Sequence, residues 1–265
     1  MTFTLIATDL DGTLLREDHT VSARNRAALV RVAEAGARHV IVTGRAVGWT
    51  RPVFDALGYR GLAVCGQGAQ VYHAGEDRLL TSVTLDRQLA RLAVERLTAE
   101  LGAVRFAVSR DGLAGRVVIE DGYRYESLLP VHTVANREEL WSEPILKLYL
   151  YHPDYDDDRL TACARKICAG LVDVTHAGTG IVEALPVGLS KAVGLSLAAR
   201  RLGARAADTI AFGDMPNDVT MFRWAAHGVA MANAHAELLA IADEVTLSNM
   251  EDGVAVVLER LFPTL

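Results

Sequence analysis

Several classes of protein are excluded by what this chain has little of. Cysteine is scarce: Cys65, Cys163 and Cys168 make an odd set without metal-ligand spacing. That argues against a disulfide framework and a cysteine-held zinc, and predicts reduced thiols. No apolar run approaches the ~20 residues that a membrane span needs, and no basic region with a long apolar stretch precedes Asp9, so neither a span nor a secretory signal is read. Basic residues are in deficit, 27 Lys and Arg against 33 Asp and Glu, for a net charge of −6. With no dense basic face, a nucleic-acid surface is not expected. Low-complexity linkers and long internal repeats are absent. These absences predict a cytoplasmic protein; monomer and homodimer both stay open.

What is present is apolar and periodic. Of 265 residues, 51% are hydrophobic, enough for one large domain or two of ordinary size. The most informative stretch is Asp9-Leu10-Asp11-Gly12-Thr13-Leu14, directly after the apolar run Phe3 to Ala7. A buried strand that ends in acid builds a poor core but a good site. Side chains two apart on an extended segment share a face, so Asp9 and Asp11 can point into one crevice. Gly12 lets the backbone turn and approach an anion. A carboxylate can act as a nucleophile toward phosphorus. Paired carboxylates repel, and Mg²⁺ would relieve that repulsion. A calcium loop does not fit, because Thr13, Glu17 and Thr20 occupy its later ligand positions. A solvated turn is the plain alternative.

The first eighty residues alternate strand and helix: strands at 3–8, 39–43 and 62–65, a Ser22-capped helix to about Ala35 closed by Gly36, a helix at 52–57, and a hairpin through Val71-Tyr72 and Leu79-Leu80. This rhythm implies an α/β fold with a mainly parallel sheet. From about Val83 it changes. A helix at 86–101, strands at 104–109 and 116–120, and a loop-rich stretch to Pro144 come first. A strand at 145–151, a helix at 157–169 and strands near 172–175 and 181–184 follow. One helix with paired strands, stated twice, reads as an inserted α+β module. The Asp156-Asp157-Asp158 run is simplest as a helix cap. After Pro186 the α/β rhythm returns, with helices at 190–202, 218–226, 236–242 and 248–261 and strands at 209–212 and 228–231. The expected organisation is a core at 1–82 and 187–265 and an insert at 83–186.

Three more polar clusters fall at predicted strand or helix ends. Thr43-Gly44-Arg45 offers a hydroxyl and a backbone N–H to a phosphoryl oxygen, or is a helix cap. Lys191 stands at a helix start, where the dipole disfavours cations; a phosphate would explain it, as would plain surface exposure. Gly213-Asp214-Met215-Pro216-Asn217-Asp218 ends a second apolar strand in acid. Asp214 and Asp218 are candidate metal ligands and Asn217 a neutral donor; oxygen ligands favour Mg²⁺ over zinc.

The DLDGTL motif at Asp9, TGR at Thr43, Lys191 in GLSK and GDMPND at Gly213 together resemble the haloacid dehalogenase superfamily of phosphohydrolases. Their order resembles the Cof-type subfamily, with its α/β (type II) cap inserted between the second and third motifs. The likeness continues through GVAMANA at 228–234 and EDGVAVVLE at 251–259. It implies a Rossmann-like core with an α+β cap, and a Mg²⁺-dependent hydrolase acting on a small-molecule phosphate monoester. Asp9 would be the nucleophile and Asp11 the general acid and base. Thr43, Gly44 and Lys191 would hold the phosphoryl oxygens, with Gly12 and Asn217 close by. Asp9, the Asp11 carbonyl, Asp214 and Asp218 would bind the metal. A phosphosugar mutase shares these motifs, and a non-catalytic phospho-acceptor is a more distant alternative. Two departures stand out: Gln67-Gly68-Ala69, where relatives often carry Asn-Gly-Ala, and Met215-Pro216, where glycine or serine is common.

A cap of this kind implies substrate-contacting residues, for which Arg45, Lys147, Glu183 and His176 are the candidates. Lys147 is an isolated charge in an apolar strand; the polar face of an alternating strand accounts for it equally. His176 is also readable as an ordinary loop histidine.

Overall fold

The computed structural model describes residues 3–124 and 131–263. The chain divides into two compact units: Met1–Arg45 with Thr50–Leu80 and Ser190–Leu265, and Ala46–Trp49 with Thr81–Leu189.

The first unit is built on an eight-stranded sheet. Its strands are β1 (Leu5–Thr8), β2 (Arg38–Val42), β3 (Leu62–Cys65), β4 (Gln70–His73), β5 (Arg78–Ser82), β12 (Thr209–Gly213), β13 (His227–Ala230) and β14 (Glu244–Val245), in the order β14-β13-β12-β1-β2-β3-β4-β5. β1 pairs parallel with both β2 and β12, while β4 runs antiparallel to β3. β1, β2, β3 and β12 each carry a buried run of three drawn from Val, Ile, Leu, Ala and Phe. Continuous apolar runs suit strands covered on both faces. Val40, Val42, Val64 and Ala211 pack with Leu195, Ala198 and Ala199 of helix α5 (Lys191–Arg201). Strand order reverses beside β1, and the crevice beyond the strand ends at such a point is where α/β sheets bind ligands.

The second unit holds a six-stranded sheet in which the strand at 145–151 is central. Its strands are β6 (Arg105–Arg110), β7 (Val117–Glu120), β8 (Val131–Val134), β9 (Ile145–Tyr151), β10 (Asp173–His176) and β11 (Val182–Leu185), with helices α3 (Arg87–Leu101) and α4 (Asp157–Ile167). Ala90, Ala93, Val94 and Leu97 of α3 and Leu160 and Ala164 of α4 pack on Phe106, Val108, Leu148 and Leu150. Asp86 caps α3 and Asp156 caps α4 through backbone N–H groups. Among the described residues, no helix is long and apolar enough to cross a membrane.

Local differences from the sequence expectations have physical reasons. The stretch read as loop to Pro144 contains β8, paired parallel to β7, and a tight turn at Arg137–Trp141; residues 125–130 of it lie outside the described residues. The helix before β3 starts earlier, at Val47, and includes Pro52, whose ring merely leaves the Gly48 carbonyl without its helical donor. The final helix is two pieces, a turn at Asn249–Glu251 and a helix at Gly253–Leu261, because Asp252 takes a left-handed φ of 61°. The helix expected over 236–242 is a single turn, Ala236–Leu239.

Candidate active site

Four chain segments deliver polar side chains to the β1–β12 end of the core sheet. Asp9 follows β1, its N–H donating to the Phe212 carbonyl at 3.0 Å. Thr43 follows β2, its N–H on the Val64 carbonyl at 2.8 Å. Asp214 follows β12, and Lys191 opens α5.

Lys191 is fully buried and bridges two acids: its Nζ donates to Asp9 Oδ1 at 2.7 Å and to Asp218 Oδ1 at 2.6 Å. Asp218 is further held by the N–H groups of Asp214 and Met215, each at 3.1 Å from Oδ2. Asp214 Oδ1 accepts from the Thr13 hydroxyl at 2.8 Å. Oxygen atoms of Asp9, Asp214 and Asp218 all lie within 4.8 Å of one another. Three buried carboxylates thus face one buried ammonium.

The electrostatics follow from that imbalance. Burial raises the Asp9 pKa most; Lys191 opposes it, while Asp218 and Asp11 add to the rise, and the result is about 7. Burial, then the charges of Asp9 and Asp218, likewise push Asp214 well above the usual carboxylate range. On Lys191 burial works against the charge, but Asp218 and Asp9 outweigh it and hold the ammonium above its ordinary value. A site that destabilises its own carboxylates is suited to a cation. Its oxygen-only donors suit a hard divalent ion such as Mg²⁺. Gly12 fits the same picture. A Cβ at its φ of +74° would stand 2.2 Å from Asp214 Oδ2, so its missing side chain is what lets Asp214 reach the cluster.

The structure also places the remaining candidates. Thr43 is buried, and its Oγ1 accepts from the Arg45 N–H at 3.1 Å. Gly44 adjoins the Gln67 side chain, whose Nε2 would lie 2.5 Å from a Cβ at position 44. Arg45, expected to touch substrate, forks onto Asp11: Nε donates to Oδ2 at 2.7 Å and a terminal nitrogen contacts Oδ1. Asn217 donates from Nδ2 to Gln67 Oε1 at 3.2 Å. Lys147, Glu183 and His176 belong to the second unit. Lys147 and Glu183 form a buried ion pair on β9 and β11, with the Lys147 ammonium 4.9 Å from the Tyr149 ring centroid. His176 sits at the end of β10, against Asp158 Oδ1 at 3.2 Å and the Gly178 carbonyl at 3.1 Å. Thus Asp9, Asp214, Asp218 and Lys191 converge, and within the second unit Lys147 pairs with Glu183 and His176 contacts Asp158.

Sequence reasoning missed three supports. Thr13 was visible only as the hydroxyl after the turn. Asn233 donates to the Gly12 carbonyl at 2.8 Å and accepts from the Asn249 N–H at 3.0 Å, bracing the β1 turn from far along the chain. Gln67 registered only as a departure from an Asn-Gly-Ala pattern.

Comparison with known proteins gives the family. A sequence profile described as haloacid dehalogenase-like hydrolase matches residues 6–258. The chain is 30% identical to the 5-amino-6-(5-phospho-D-ribitylamino)uracil phosphatase YwtE of Bacillus subtilis (strain 168), covering 97% of each. It is 29% identical to the HMP-PP phosphatase of Serratia proteamaculans (strain 568), over 89% of this chain and 86% of that one. A solved structure of a haloacid dehalogenase-like hydrolase from B. subtilis superposes with a TM-score of 0.84 at 25% identity, covering 97% of this chain and 99% of the other. The chain belongs to the haloacid dehalogenase-like hydrolases and is a phosphatase acting on small phosphate esters.

Proposed function

We propose that the enzyme is a Mg²⁺-dependent phosphomonoesterase that works through an aspartyl-phosphate on Asp9. An Asp9 oxygen attacks phosphorus; the new O–P bond forms as the ester P–O bond breaks, and Asp11 gives its proton to the leaving oxygen. Water then loses a proton to Asp11 and attacks the same phosphorus. The Asp9–phosphorus bond breaks, releasing inorganic phosphate and the free carboxylate. Thr43, the Gly44 N–H and Lys191 hold the phosphoryl oxygens as charge redistributes. Asp9, the Asp11 carbonyl, Asp214 and Asp218 would hold Mg²⁺, which would supply charge neutralisation for a bound phosphoryl group. Arg45 must release Asp11 for Asp11 to donate its proton, since a guanidinium fork favours the carboxylate.

The observation that carries this reading is the buried set Asp9, Lys191, Asp214 and Asp218, with three acids within 4.8 Å. Buried charge of one sign is costly unless a ligand or ion uses it. The segment 83–186 governs which ester is accepted, in the manner of a type II cap. Phosphorylated polyols and sugars head the substrate classes, given that a relative is named for a phosphoribitylamino compound.

The test is phosphate release from a panel of sugar phosphates, polyol phosphates, HMP-PP and 5-amino-6-(5-phospho-D-ribitylamino)uracil, with Mg²⁺ and with EDTA. Turnover with Mg²⁺, loss in EDTA and loss in Asp9→Asn are expected. Wild-type rates in Asp9→Asn would remove the mechanism.

A further inference from the structure

The turn between β3 and β4 touches three of the segments that build the site. The Gln67 N–H donates to the Thr43 carbonyl at 3.1 Å. Its side-chain nitrogen fills the space beside Gly44 that a Cβ would need. The neighbouring Gly68 closes on Ser190, just before Lys191; a Cβ there would stand 2.1 Å from the Ser190 carbonyl oxygen. The third segment is Asn217, whose Nδ2 donates to Gln67 Oε1 at 3.2 Å. Gln67 is 1% exposed and Asn217 8%. Gln67 also holds a φ of +61°, a conformation that residues other than glycine seldom adopt and that tends to persist where surroundings enforce it.

The consequence is chemical. With Nδ2 committed to Gln67, the Asn217 amide has a fixed sense, and its Oδ1 is buried without a hydrogen-bond partner among the described residues. Buried acceptors are almost always satisfied. The acids next to it in the chain are engaged elsewhere: Asp214 accepts from the Thr13 hydroxyl, and Asp218 from Lys191 and the Asp214 and Met215 N–H groups. The missing donor therefore arrives with the reaction, as a substrate hydroxyl or a water.

We propose that Gln67 is a positioning residue: it orients the Asn217 amide, so that Oδ1 receives that donor, and ties it to the Thr43–Gly44 loop. The inference rests on the phosphatase reading. It predicts that Gln67 acts on turnover through Asn217 and not by holding the fold together.

The experiment is a double-mutant cycle on the Mg²⁺-loaded enzyme with the best substrate of the panel. Gln67→Met keeps the side chain's bulk and removes its amide; Asn217→Ala removes the group it orients. Each single change is expected to lower kcat about tenfold, the scale of one well-placed hydrogen bond, with KM moving less than about twofold. The double variant should be no slower than Asn217→Ala alone. Gln67→Asn guards against a folding failure. Asparagine suits positive φ better than glutamine but ends one methylene short of Asn217, so wild-type melting with the same kcat loss is expected. Additive losses, full activity in Gln67→Asn, or a kcat loss that follows melting temperature would overturn the proposal. A wild type that releases phosphate secures the underlying reading first, so those outcomes count against Gln67 alone.

Discussion

Replacing the nucleophile should stabilise the metal-free protein while abolishing its chemistry. Asp9 is 5% exposed and shares its pocket with Asp214 and Asp218. Its pKa stands at about 7 against 3.8 for a free side chain. The folded state therefore binds this proton more tightly than the unfolded chain does. Stability from this group is present below the unfolded value, falls as pH rises through the window between 3.8 and about 7, and stays lost above it. At about 1.36 kcal/mol per unit, the ionised carboxylate costs the fold on the order of 4 kcal/mol. Asp9→Asn removes that cost and gives up one Lys191 contact, but Lys191 keeps Asp218 at 2.6 Å. The net gain expected from these opposed effects is about 1 to 4 kcal/mol. Urea unfolding in EDTA at about pH 8 should show the variant more stable than wild type, with the gap closing toward about pH 4. Mg²⁺ should narrow or reverse the gap, because binding to the native state stabilises the wild type preferentially. A variant less stable than wild type at about pH 8 in EDTA, or a gap independent of pH, would refute the argument that repulsion and burial dominate this pocket.

Further predictions follow from other placements. Gly12→Ala would drive a Cβ to 2.2 Å from Asp214 Oδ2 at a left-handed φ; Mg²⁺ titration of activity should show at least about tenfold weaker half-saturation, the scale of disturbing a metal ligand's support. In the second unit, Lys147→Met alone leaves Glu183 buried without the ammonium and should cost about 3–5 kcal/mol in urea unfolding. Pairing it with Glu183→Leu should recover much of that loss, and a double variant worse than the single would contradict the account. Burial pulls the pKa of His39 down to about 4, where it bonds the Thr8 hydroxyl at 2.8 Å. The unfolded chain thus binds the proton first, and this group removes up to about 3 kcal/mol of stability as pH falls from about 6.5 to about 4. His39→Gln should flatten that part of the pH–stability curve.

The site was legible in the sequence where a local pattern contradicts its surroundings. Acid at the end of β1 and again after β12 makes no sense as packing, and a lysine at the start of α5 opposes the helix dipole, so each stands out as a candidate site residue. Helix caps at Ser22 and in the Asp156 run read equally well, because capping is a contact over two or three residues. The rest depends on contacts distant in sequence. Nothing near Arg45 in the chain reveals that it forks onto Asp11, 34 residues away. The reach of Asn233 to Gly12 spans 221 residues. β8 was invisible because its pairing to β7 supplies the order that a weakly alternating Val-His-Thr-Val lacks. Lys147 was singled out as an isolated charge, but its partner Glu183 lies two strands of chain away, and only pairing through β9 and β11 brings them together.

The claim on which all of this depends is transfer of the phosphoryl group to Asp9 before water. The most direct measurement is the stereochemical course of hydrolysis with a substrate made chiral at phosphorus and turned over in isotopically labelled water. Two successive in-line displacements, the first by the Asp9 carboxylate, predict overall retention of configuration. Inversion would mean that water attacks the ester directly, and Asp9 would then be no more than a ligand or a base.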